Sequence, residues 1–218
     1  MARCVGATTW ISADAWIDPL REEGYVVVSS LLHPREVDEL REAFPPETPG
    51  STLHVEIDDQ TPYVERWRSL AGHRGIMILL TDALGDYTVR LHGRDPGRGA
   101  GAQGLHADRP PGRVDDFDAI TLLWMLDEFK SANGATRVVP RSHRGASAVP
   151  RRLAQPGMKH PDERIVTGRP GDVLIFDAHL WHSGRENSSG ARRRAVQMTA
   201  TRSSLSSGHP PPGEGAGR

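Results

Sequence analysis

The sequence predicts a mainly β fold, a two-sheet β-sandwich or jelly roll, backed by α-helices at its N-terminal end. Three observations carry this. Past Gly85 the chain breaks into short apolar or alternating runs punctuated by Gly and Pro. Before Gly85 apolar residues recur at helical spacing. The 218 residues suffice for one domain with a proper core.

Residues 12–23 read as a helix with Ser12 as N-cap, Trp16, Ile17 and Leu20 on one face, and Gly24 as C-cap. Pro19 is expected to split or kink it. Tyr25–Val28 is a short β-branched strand. Residues 34–44 form a second helix, with Pro34 in its first turn and Val37, Leu40 and Phe44 on one face. Pro45–Gly50 is a turn-rich break. Residues 62–71 and 73–84 are expected helices, with Trp67, Leu70, Met77, Leu80 and Leu84 as core candidates. Strands are then expected at Tyr87–Leu91, Ala119–Leu126, Thr136–Val139, Arg164–Thr167, Asp172–Phe176 and Ala195–Thr201. Ala119–Leu126 is nearly all apolar, which suits a buried central strand. The folded domain is expected over residues 1–202. The Ser/Gly/Pro-rich stretch 203–218 is an expected disordered tail.

Two segments, Gly93–Gly104 and Arg109–Asp116, receive no element. Long loops in a compact domain tend to be functional, and these flank His106.

Composition excludes some classes of partner. Net charge is −1, from 27 basic and 28 acidic residues mixed along the chain. Nucleic acids and anionic membrane surfaces select for a basic excess, so neither is expected as the main partner. No apolar run approaches the roughly 18 residues of a membrane span. Met1–Trp10 lacks the charged-then-apolar order of a signal peptide, and the single cysteine, Cys4, can form no intrachain disulfide. A cytoplasmic protein fits these features.

The chemistry-bearing signal is a His-x-acid tripeptide followed by a distant His. Mononuclear non-haem iron sites use two histidines and one carboxylate on one face of the metal. In an extended segment residues i and i+2 point the same way, so both can reach one ion. Three such tripeptides occur: His54-Val-Glu56, His106-Ala-Asp108 and His160-Pro-Asp162. His54 lies before the strand-rich half, and His160 stands too close to His182 for the intervening strands of a barrel. His106 immediately precedes the most apolar strand and is suitably spaced from His182, which follows the Gly171-Asp172 turn and strand. His106, Asp108 and His182 are thus the candidate iron(II) ligands. His179 is the competitor for the distal position, with a surface or supporting role as its plainer reading.

At these residues the sequence resembles the phytanoyl-CoA dioxygenase family of iron(II)/2-oxoglutarate oxygenases. His106-Ala-Asp108 is similar to the family's His-x-Asp. Trp124-Met-Leu-Asp127, Asn133-Gly-Ala135 and Val139-Pro-Arg-Ser-His143 resemble its central motif. Gly171-Asp172 through His182 resembles its Gly-Asp strand and distal His, and Asn187 with Arg192-Arg-Arg194 resembles its Asn and co-substrate arginine. The likeness spans residues 12–202.

The resemblance implies a double-stranded β-helix, a cupin-like jelly roll. It implies iron(II), 2-oxoglutarate and O₂, with succinate and CO₂ released as a substrate C–H bond is oxidised. It places the arginine that grips the distal carboxylate about eleven residues after the distal His, at Arg193, with Arg192 the alternative. Strand alternation turns Arg192 and Arg194 away from Arg193's side. A planar guanidinium suits a carboxylate. Trp124 stands where the family has a tryptophan near the co-substrate, with core packing as its other reading. Gln103, three residues before His106, is within reach of the co-substrate. His143 is structural by the same likeness.

Departures are Arg141 in place of a glycine and Ser183-Gly184 in place of Gly-Ser, which moves a hydroxyl expected near the co-substrate. Asp108 is kept where related halogenases carry a small residue, which argues against halogenation. The substrate class expected is a small polar natural product such as an antibiotic or glycoside, hydroxylated or oxidatively cyclised in secondary metabolism. Arg109 and Trp181 are candidate substrate contacts, with Arg94, Arg98 and Arg113 in the same polar loops. Two other classes stay open: a cupin-like metal enzyme that does not use 2-oxoglutarate, and a non-catalytic jelly-roll binding module.

Overall fold

The computed structural model describes residues 14–206 other than 62, 111–115 and 146. Ser12, Cys4, Met1–Trp10 and Arg113 lie outside the described residues.

The helices come first: α1 (Asp14–Glu23), α2 (Pro34–Glu42), α3 (Val64–Ala71) and α4 (Arg74–Leu84), with strands β1 (Tyr25–Val28) and β2 (Thr52–Glu56) between them. The strands β3 (Tyr87–Pro96), β4 (Ala119–Met125), β5 (Thr136–Val138), β6 (Arg164–Ile165), β7 (Val173–Asp177), β8 (His182–Gly184) and β9 (Ala195–Arg202) follow. A last helical turn, α5 (Ser203–Ser206), follows β9.

Six strands form one antiparallel sheet in the order β1-β7-β4-β9-β3-β2, and β6-β5-β8 form a second. This is the expected jelly roll. Side-chain alternation divides the large sheet into two faces. Ile120, Leu122, Trp124, Val173, Ile175, Val196, Met198 and Ala200 face outward, where Trp16, Leu20, Leu40, Trp67, Leu79 and Leu80 of the helices cover them. Leu123, Met125, Leu174, Phe176 and Ala195 face inward, against Val138 of β5 and Phe129, Ala135 and Val166. Each fully buried large apolar side chain contributes about 1.5–3 kcal/mol, so both layers are strongly stabilising.

Several expectations are corrected. α1 stays one helix through Pro19. Gly24 does end it, with φ +86° and its N–H donating to the Leu20 carbonyl at 3.0 Å. Met77 is 45% exposed, because the buried stripe of α4 runs through Ile76, Leu79, Leu80, Ala83 and Leu84 instead. β2, which carries His54, and β8 were not expected. The largest change is in β3, which runs on to Pro96 rather than stopping at Leu91. Gly93 suggested a break, yet it lies inside the strand under Phe44 and Trp67. A Cβ there would stand 2.9 Å from Phe44 Cζ and 3.0 Å from Trp67 Cη2. The glycine permits close approach of strand and helices.

Candidate metal centre and co-substrate cavity

His106 and His182 sit directly opposite one another in an isolated antiparallel bridge. The His106 N–H donates to the His182 carbonyl at 3.0 Å, and the His182 N–H returns the bond at 2.8 Å. Their rings stand 4.5 Å apart, centroid to centroid. Asp108 follows His106 by two residues, and its Oδ1 lies 3.5 Å from His182 Nε2. One ligand atom from each of His106, Asp108 and His182 lies within 4.8 Å of the others, and no further such group occurs among the described residues.

The donor set suits a divalent metal by its protonation as well as its spacing. His106 Nδ1 lies 3.0 Å from the Gly104 carbonyl, and His182 Nδ1 lies 3.0 Å from the Leu180 carbonyl. A carbonyl can only accept, so each Nδ1 carries the proton and each Nε2 presents a lone pair. Burial pushes the His182 pKa down, opposed by the charge of Asp108, so burial favours the neutral imidazole a metal needs. Thr121 Oγ1 donates to Asp108 Oδ2 at 2.9 Å and leaves Oδ1 for the metal side. Asp108 is exposed and His182 buried, so the site opens on the Asp108 side.

Beside His182 lies a small cavity lined among others by Arg193, Gln103, Thr136, Leu123 and Phe176. Arg193 is 5% exposed and its Nε has no hydrogen-bond partner. Burial first, then the nearby Arg94, lowers its pKa to about 9, against help from Asp95 and Asp127. A buried cation without a carboxylate is costly unless a ligand supplies one. Its neighbours are already engaged. Arg192 pairs with Asp95, its Nε 2.8 Å from Oδ2, and Arg194 grips both oxygens of Asp127 at 2.8 and 2.9 Å. Alternation thus leaves Arg193 facing the cavity.

The other expected site residues divide. Gln103 lines the cavity, and its Oε1 accepts from the Gly184 N–H at 3.0 Å. Trp124 does not reach it. It lies in the outward layer, edge-on to His73 at 5.9 Å, because Leu123 takes the inward position of β4. Trp181 packs beside Leu105, Val139 and Leu153, with His160 edge-on at 6.1 Å, and Arg109 is half-buried beside Asp108. Neither lines the cavity. His179 stands apart from the triad, its Nε2 3.3 Å from Asp118. Ser183 points to Arg137, whose Nε donates to its Oγ at 2.6 Å, so the hydroxyl in the cavity is that of Thr136. Thr136 and Gln197 were missed as cavity residues, and Arg94, expected in a polar substrate loop, lies instead on β3 in the cavity wall. The signal for Arg94 was its place two residues beyond His92 in an unbroken alternation, which Gly93 concealed.

The model of the phytanoyl-CoA dioxygenase family matches residues 20–195. The chain belongs to this family. Membership places it among iron(II)- and 2-oxoglutarate-dependent dioxygenases. One relative, dioxygenase cdmA of Talaromyces verruculosus, is 28% identical over 222 aligned positions, covering 86% of this chain and 72% of that protein. Dioxygenase cdmD of the same fungus is 34% identical, over 53% of this chain and 39% of its own length. The fold is similar to that of HygX from Streptomyces hygroscopicus, solved with nickel, 2-oxoglutarate and hygromycin B, at TM-score 0.72 and 17% identity over 87% of both chains. It is also similar to that of the epimerase SnoN, solved with Fe³⁺, α-ketoglutarate and nogalamycin RO. There the TM-score is 0.69 at 20% identity, over 94% of this chain and 92% of that one.

Proposed function

We propose that this member of the family oxidises an unactivated C–H bond of a small polar natural product, by hydroxylation or oxidative ring closure. The observation that supports it best is a cavity lined both by His182 of the His-Asp-His donor set and by Arg193, a buried arginine whose Nε has no partner. A 2-oxo dicarboxylic acid needs both.

In this reading His106, Asp108 and His182 would hold iron(II). Arg193 binds the distal carboxylate of 2-oxoglutarate through its planar fork. When bound, iron(II) and 2-oxoglutarate would couple reduction of O₂ and loss of CO₂ to removal of a substrate hydrogen, leaving succinate. The protein supplies the rest. Leu123 and Phe176 keep water from the co-substrate and strengthen the charge interactions around it. The Thr121 hydroxyl holds the Asp108 carboxylate in one orientation. Substrate would enter on the exposed Asp108 side. There the inward positions of the edge strand β2 and its neighbour β3 include His54 and Glu56, both exposed, and the half-buried His92. Such hydrogen-bonding groups suit a hydroxyl-rich ligand better than a hydrocarbon. Hygromycin B in HygX and nogalamycin RO in SnoN support the same class. The proposal includes one domain over residues 1–202 and a cytoplasmic setting. No helix among the described residues is long and apolar enough to cross a membrane.

The test is an anaerobic titration of the protein with iron(II) and then 2-oxoglutarate. A visible charge-transfer absorption should appear, and be lost in His106→Ala. Succinate formation should then rise with a polar glycoside or related antibiotic precursor from a substrate panel. Metal uptake with neither absorption nor succinate would overturn the reading in favour of a cupin-like metal enzyme.

A further inference from the structure

The cavity holds a second guanidinium to which the roles above give no task. Arg94 lies on β3 opposite Ala195 of β9, with its side chain on the inward face. Its one hydrogen bond among the described residues runs from Nη1 to Gln197 Oε1 at 3.0 Å, and its Nε is buried without a partner. Arg94 as a whole is half-buried, but a neutral amide oxygen only partly offsets the desolvation of its guanidinium, so it is suited to an anionic ligand.

The strand register says which end of the cavity it serves. Arg193 precedes Ala195 by two residues, while Gln197 follows it by two. The next inward pair in that direction is Thr199 opposite Thr121, and Thr121 holds Asp108. The bond to Gln197 carries the Arg94 guanidinium along the cavity in the direction of Thr121 and the metal ligands. The negative charge of Asp108 is felt at Arg94, partly opposing the burial that lowers its pKa.

We propose that Arg94 is a second carboxylate clamp, which holds the metal-proximal carboxylate of the 2-oxo acid while Arg193 holds the distal one. The two cations match the two charges of a dicarboxylate, and Gln197 is the positioning residue for Arg94. This rests on the co-substrate reading above and extends it to a residue the sequence assigned to a substrate loop. A carboxylate on the substrate is the other source of the same chemistry.

The experiment separates these with two probes of the iron(II)-loaded protein under anaerobic conditions, each titrated by its charge-transfer absorption. Pyruvate carries the 2-oxo acid head and lacks the distal carboxylate; 2-oxoglutarate carries both. Loss of a charge-assisted bond of about 1.5–3 kcal/mol weakens binding by roughly ten-fold or more. Arg94→Gln should therefore weaken both probes by about that factor, and Arg193→Gln should weaken 2-oxoglutarate while leaving pyruvate within about two-fold. Arg94→Lys, which keeps the charge and loses the fork, should fall between wild type and Arg94→Gln, and serves if that variant does not fold. If Arg94→Gln and Arg94→Lys leave both probes unchanged, the arginine serves the substrate and the proposal is wrong. If Arg94→Gln weakens only 2-oxoglutarate, it acts at the distal end and the proposal is equally wrong. Failure of the wild-type protein to take up iron(II) would instead overturn the function on which the proposal rests.

Discussion

The guanidinium of Arg193 lies over the face of Phe129, its Cζ 4.6 Å from the ring centroid. Phe129 is itself 1% exposed and is fixed by paired backbone bonds between Phe129 and Gly168. The ring attracts the cation electrostatically and gives it a rigid floor. A cation–π contact contributes about 0.5–2 kcal/mol, so Phe129→Leu should weaken 2-oxoglutarate binding about two- to thirty-fold with iron uptake unchanged. Calorimetric titration checks this; an unaltered affinity would show that the stack positions nothing.

Arg193 should be a stability cost in the absence of its ligand. Its pKa is lowered to about 9 in the folded protein, so folding disfavours the charged form. The penalty is fully present below about pH 9 and fades as pH rises from there toward the unfolded value. Arg193→Met should melt a few degrees above wild type at pH 7 without ligand, with the difference shrinking at pH 10. Thermal melts with and without 2-oxoglutarate should also show the ligand stabilising wild type alone.

Arg192 should behave in the opposite way. Asp95 is 1% exposed, so Arg192→Ala leaves a buried carboxylate without its partner. Such a loss costs about 3–5 kcal/mol, visible in denaturant unfolding, while 2-oxoglutarate affinity stays near wild type. A large affinity loss with stability unchanged would mean that Arg192, and not Arg193, faces the cavity.

Thr121→Val keeps the shape of a buried strand residue and removes the bond to Asp108 Oδ2. Groups that orient metal ligands typically matter by about ten- to a hundred-fold in metal affinity. Competition with a chelator should show a loss of that order, and Thr121→Ser should recover most of it. Equal affinities in Thr121→Val and wild type would remove the hydroxyl from the site.

How much was legible depended on the length scale of the signal. The helices and most strands followed from local periodicity, and the errors came where a local rule met a tertiary contact. The segment from Gly93 received no element, whereas Gly93 lies inside β3 and admits Phe44 and Trp67. Met77 read as core because the phase of an apolar helix is ambiguous until its partner is known. Trp124 fitted the family's tryptophan by position, yet β4 presents Leu123 to the cavity and turns the indole toward the helices.

The sequence by itself named the three residues of the proposed metal centre. His106 and Asp108 share a side because alternation in an extended chain is local, and His182 is singled out by its spacing. The same alternation, anchored by the family likeness, selected Arg193. Tertiary structure alone decided that the two histidines face each other across a bridge with both Nδ1 protons turned to carbonyls. It alone decided that Asp95 and Asp127 occupy the arginines on either side, and that Arg94 stands in the cavity. These relations join residues up to 103 positions apart, as Arg94 and Gln197 show, and no local pattern encodes which partner neutralises which charge.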